Sequence, residues 1–71
     1  MDNSKRVDLL IVDVEDLIDP GYRLWFIKRF YQLSNDTVRR IAATVRETQA
    51  AKPDTNGLRL FSWLVKREAG F

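Results

Sequence analysis

The sequence predicts an all-α chain, a compact bundle of three or four short helices, and three observations carry that expectation. Apolar residues recur at helical spacing in four separate stretches. Helix-start residues, Asp19-Pro20, Ser34 and Thr55 or Asn56, stand before three of them. Finally, the one segment rich enough in β-branched residues to suit a strand, Val7 to Val14, finds no strand partner elsewhere in the chain.

The first helix is expected over residues 6–18, where Val7, Leu10, Ile11, Val14, Leu17 and Ile18 fall on one stripe. Leu9 and Val12 lie off it. Asp19 then reads as an N-cap, with Pro20 at the first helical position, where its missing amide hydrogen costs nothing. The second helix should span 20–33 unless Pro20-Gly21 makes a turn that delays its start. Its stripe is Tyr22, Trp25, Phe26, Phe30 and Leu33, broadened by Leu24, Ile27 and Tyr31 until most of the circumference is apolar, as in a buried central helix.

Ser34 is the next N-cap, with Asp36 in the first turn complementing the helix dipole. The third helix covers 35–50 with a narrow inner stripe of Val38, Ile41, Ala42 and Val45, flanked by Arg39, Arg40, Arg46 and Glu47. Lys52 to Gly57 gathers proline, glycine and small polar residues and forms the one clear loop, with Thr55 or Asn56 capping the last helix. In that helix Leu60, Phe61, Leu64 and Val65 recur with helical spacing, and Gly70 is placed to end it before Phe71.

Seventy-one residues make a single domain, and a domain of this size buries only about 60% of its unfolded surface, so partner binding or self-association has stability to add. The absence of cysteine and histidine removes disulfides, thiolate and imidazole metal sites, and Cys/His or Ser/His dyads. Asp13 with Glu15 or Asp16 lacks the looped oxygen cage and turn glycine of a calcium site. The three glycines are isolated from one another, so there is no phosphate loop. We therefore expect no enzyme activity, no metal and no cofactor. The longest aliphatic run, Leu9–Val12, is far too short for a membrane span, and the acids around it break any secretory h-region, so the expected compartment is the cytoplasm.

Charge divides the chain. Residues 1–19 carry six carboxylates against two cations, net −4, whereas residues 20–71 carry ten cations against four carboxylates, net +6. Such a split points to an anionic partner or to an internal clasp. The strongest candidate surface is on the last helix, where Arg59, Trp63, Lys66 and Arg67 share one side opposite Leu60, Phe61 and Leu64. Cations there would neutralise phosphates with release of counterions, and an outward Trp63 would stack on an unpaired base for roughly 1–3 kcal/mol. An inward Trp63 would instead complete the core. Arg39, Arg40 and Arg46 would extend the same surface if the third and fourth helices present them together. The acids Asp13, Glu15, Asp16 and Asp19 either fold back on Arg39, Arg40 or Lys66, offer a docking face to a basic partner, or are a solvated helix side.

The segment Asn56-Gly57-Leu58-Arg59-Leu60-Phe61-Ser62-Trp63-Leu64-Val65-Lys66-Arg67 resembles the last helix of DnaD-like helical domains of replication proteins. Leu60-Phe61 and Leu64-Val65 occupy that family's two apolar pairs, Lys66-Arg67 its basic positions and Gly70 its glycine. Leu60 stands where the family has tyrosine, and Glu68 where it has tryptophan after the second pair. The resemblance implies DNA binding or helicase-loader contacts, with Lys66, Arg67 and Arg59 facing DNA. The first expectation is thus a small helical nucleic-acid-binding or replication-accessory module. The alternative is a protein-interaction domain or homodimeric subunit that uses the acids Asp13, Glu15 and Asp16 with Trp25 and Tyr31. Neither a membrane nor a small-molecule substrate is indicated.

Overall fold

Four helices build the fold: α1 (Asn3–Asp13), α2 (Arg23–Phe30), α3 (Asn35–Ala51) and α4 (Gly57–Glu68), with 3₁₀ turns at Glu15–Leu17 and Pro20–Tyr22. The computed structural model describes residues 3–70; Asp2, counted among the leading acids, and the terminal Phe71 lie outside them. No strand occurs among the described residues, so the β-branched run of the first segment is helical.

All six stripe residues of that segment are buried, but the helix ends at Asp13 rather than at residue 18. Val14 leaves the helical region at φ −118°, ψ 20°, and Leu17 and Ile18 reach the core through the 3₁₀ turn. A continued helix would set Asp13, Glu15 and Asp16 on its own negative C-terminal end. Breaking it puts Glu15 and Asp16 in the first turn of the next short helix instead.

The second segment is also shorter than expected. Asp19 accepts the Gly21 amide at 2.9 Å and Pro20 takes the first turn, as the sequence predicts, but that turn is 3₁₀ and the α-helix runs only from Arg23 to Phe30. With three residues per turn instead of 3.6, the turn carries Tyr22 off the apolar stripe. Tyr22 is 61% exposed, and Leu24 and Tyr31 also face solvent. The picture of a helix buried on most sides is corrected accordingly: only Phe26 and Phe30 are fully enclosed, with Trp25, Ile27 and Leu33 packed at the edge of the core.

Phe26 and Phe30 meet Phe61 of α4 at the centre. Phe26 stacks on Phe61 at 5.5 Å between centroids, and Phe30 meets Phe61 edge-on at 6.3 Å. Such offset and T-shaped pairs satisfy the ring quadrupoles as well as burying area. Val38, Ile41, Ala42 and Val45 of α3 close the core from the other side, as the narrow stripe predicts.

The caps agree closely with the sequence. Ser34 Oγ accepts the Thr37 amide at 3.1 Å, and Asn56, rather than Thr55, caps α4 by accepting the Arg59 amide at 3.2 Å. Gly57, where α4 starts, leaves room for the Gln49 side-chain amide of α3; a Cβ there would push that flexible end aside. Gly70 closes the last helix in the left-handed region at φ 87°. One tie was not foreseen: Arg6 of α1 donates through Nη2 to the Phe30 carbonyl (3.2 Å) and through Nη1 to the Leu33 carbonyl (3.2 Å) and Asn35 Oδ1 (2.8 Å). A cation thereby satisfies the carbonyls left open at the end of α2.

Candidate functional site

The exposed side of α4 is where apolar and cationic side chains remain available together. Phe61 and Val65 turn its buried side inward, so Trp63, two residues from Phe61, is driven outward and is 56% exposed. The Arg67 guanidinium lies 5.5 Å from the centroid of the Trp63 ring, within cation–π range. Arg59 and Lys66 stand on the same side, exposed. Trp63 is a surface residue, and the four residues of the strongest sequence candidate do come together.

Across from them stands the 3₁₀ turn Pro20–Tyr22, capped by Asp19. Its Tyr22, together with Trp25 from the first turn of α2, forms the second wall of a groove of about 530 Å³, with Arg59, Trp63 and Lys66 on the α4 wall and Asp19 at the same opening. Trp25 is held in place: it meets Phe26 edge-on at 5.0 Å and carries the Arg29 guanidinium 4.8 Å from its ring centroid. Trp25 is therefore a packed wall, whereas Tyr22 and Trp63 are exposed, Trp63 with Arg67 beside its ring.

The other predicted cations lie elsewhere and are engaged. Arg39 pairs with Asp13 at 3.2 Å, and Arg46 pairs with Asp16 at 2.9 Å while also donating to the Asp13 carbonyl at 3.1 Å. Arg40 pairs with Glu68 at 3.4 Å, and Arg23 with Glu15 at 3.7 Å. The acids of the first segment thus fold back on α3, through Arg39 and Arg46, and they reach neither Arg40 nor Lys66 among the described residues. Arg39, Arg40 and Arg46 do not line the groove. Among the partner-binding candidates, Asp13, Glu15 and Asp16 are each ion-paired, Trp25 is half-buried in the groove wall and Tyr31 is exposed away from it.

Sequence reasoning missed Tyr22 as a groove residue by placing it on the core stripe, and read Asp19 as a cap and as one of the acids that could fold back on Arg39, Arg40 or Lys66, not as a residue at the opening of a groove. The signal for Tyr22 was present in Pro20-Gly21, which favours a tight turn and breaks the 3.6-residue phase. Among the described residues no group of acids is placed to hold a metal ion, and no helix is long and apolar enough to cross a membrane. No protein-family model matches the chain, and no curated protein or solved structure matches it either.

Proposed function

We propose that this chain is a small helical module that binds single-stranded nucleic acid in the groove between α4 and the Asp19–Trp25 segment. The observation that carries the reading is an exposed tryptophan set among cations with no ion pair among the described residues: Trp63 with Arg59, Lys66 and Arg67. A phosphate backbone would run along Arg59, Lys66 and Arg67, and a base would stack on Trp63, with Tyr22 lining the same groove. A duplex offers no unstacked base to such a groove, so single strands should bind more tightly than double strands. A role in replication, which the resemblance of the last helix to DnaD-like domains implies, is part of the same proposal.

Fluorescence anisotropy with labelled single-stranded DNA, double-stranded DNA and RNA over a salt series tests it. The expected result is single-strand affinity that falls steeply with salt and drops by about tenfold or more on Lys66→Glu with Arg67→Glu. Full affinity in that double variant would overturn the reading.

A second reading, self-association or docking of a protein partner, has its own support in α1. Leu9 and Val12, one helical turn apart, are 60% and 63% exposed, beside the ion-paired acids at its end. Sedimentation over a wide concentration range separates the two, since self-association makes mass depend on concentration.

A further inference from the structure

Asp19 is the odd member of the groove. Asp13, Glu15 and Asp16 are each neutralised by an arginine, yet Asp19 forms no ion pair among the described residues although Arg59 and Lys66 line the same opening. Asp19 is a partly buried residue whose carboxylate is oriented by the turn: Oδ1 accepts the Gly21 amide at 2.9 Å in an exposed hydrogen bond, while its main-chain carbonyl accepts the Tyr22 amide at 2.9 Å. An ionised carboxylate has about four acceptor sites, so Oδ2 and the second site of Oδ1 are left for a ligand.

A carboxylate repels phosphate, and on a single strand of DNA the hydrogen-bond donors are those of the bases. Guanine presents two adjacent donors, N1–H and the N2 amine, spaced for the two oxygens of one carboxylate. Adenine and cytosine offer one amine each, and thymine offers one N–H between two carbonyls that the carboxylate would repel. Resting on the nucleic-acid reading above, we propose that Asp19 makes the groove selective for guanine, with the base on Trp63 and its Watson–Crick edge toward the Asp19 carboxylate.

The test uses the full chain and short thymidine oligomers carrying a single central guanine, hypoxanthine, adenine or cytosine, read by fluorescence anisotropy. Deoxy probes remove the 2′-hydroxyl, the other donor a strand of RNA would bring. The guanine probe should bind about tenfold more tightly than all-thymidine, with hypoxanthine, which lacks the N2 amine, in between. Asp19→Asn keeps the turn, since asparagine caps as well as aspartate, and an unchanged thermal melt verifies this. It should abolish the guanine preference while raising all-thymidine affinity about two- to fivefold, because a negative charge leaves a cationic groove. Salt-dependent binding with equal affinity for every probe would overturn the guanine assignment and leave the nucleic-acid reading standing. An equal gain on all probes in Asp19→Asn, with the preference intact, would also overturn it. No binding of any probe would overturn both.

Discussion

Two basic regions of this molecule, similar in composition, do opposite things. Along the seam between α1 and α3, Arg39 and Arg46 are matched to Asp13 and Asp16, and Arg46 also caps the end of α1. On the outer side of α4, Arg59, Lys66 and Arg67 have no such partners among the described residues and surround an exposed tryptophan. Counting charges treats the two alike. Their difference is that the seam cations hold the fold's own carboxylates and carbonyls, whereas the α4 cations meet no carboxylate among the described residues, and Arg67 lies over the exposed Trp63 ring. A positive net charge thus says little about binding until each cation's partner is known.

The sharpest way to test that division is within α4 itself, between Phe61 and Trp63. Phe61→Ala removes the ring stacked on Phe26 and should cost about 3–5 kcal/mol, most of the stability of so small a domain, seen as loss of cooperative unfolding in urea. Trp63→Ala should leave the free energy of unfolding in urea within about 0.5 kcal/mol of wild type, while weakening single-strand binding by about 1–3 kcal/mol. A large stability loss in Trp63→Ala would break the comparison by making the tryptophan a core residue.

Arg6 against Arg59 sharpens the contrast among cations. Arg6→Ala leaves the Phe30 and Leu33 carbonyls without their donor and should cost about 1.5–3 kcal/mol, whereas Arg59→Ala should fall within about 0.5 kcal/mol; thermal melts of both variants decide it. Charge reversal at Lys66 and Arg67 should lower single-strand affinity by about tenfold or more at low salt and reduce the salt slope by about 1.4, the release expected for two phosphate contacts. Neutralising Arg39 and Arg46 to Gln should change that slope little. The smallest effect belongs to the seam acids. Asp13→Asn with Asp16→Asn should cost about 0–1 kcal/mol for each exposed pair, and the loss should shrink as salt is added. A larger loss, unaffected by salt, would mean that the seam is held by more than surface electrostatics.

Much of the fold was legible beforehand, because helix periodicity and capping are local. Ser34 and Asn56 cap where side-chain chemistry says they should, and every residue of the first and third stripes is buried. The misreadings, at the ends of the first two helices, share one cause. Periodicity continues through a 3₁₀ turn, as Leu17 and Ile18 show by reaching the core from one, so the apolar pattern alone does not mark where the α-helix stops. At Tyr22 the same change of pitch turned an assigned core residue into a groove wall.

The sequence by itself determined the all-α class, the four helical segments, most of the core and the grouping of Arg59, Trp63, Lys66 and Arg67 on one side of the last helix. Each of these depends on spacing within a single segment, where 3.6 residues per turn relates neighbours without reference to the rest of the chain. Only the tertiary structure decided that Trp63 faces outward, that Arg39, Arg40 and Arg46 are taken by Asp13, Glu68 and Asp16, and that Asp19 and Tyr22 stand across a groove from α4. Those facts depend on how segments far apart in the chain are packed. Charge pairing in the seam acts between residues 26 and 30 positions apart, a separation over which local periodicity carries no information.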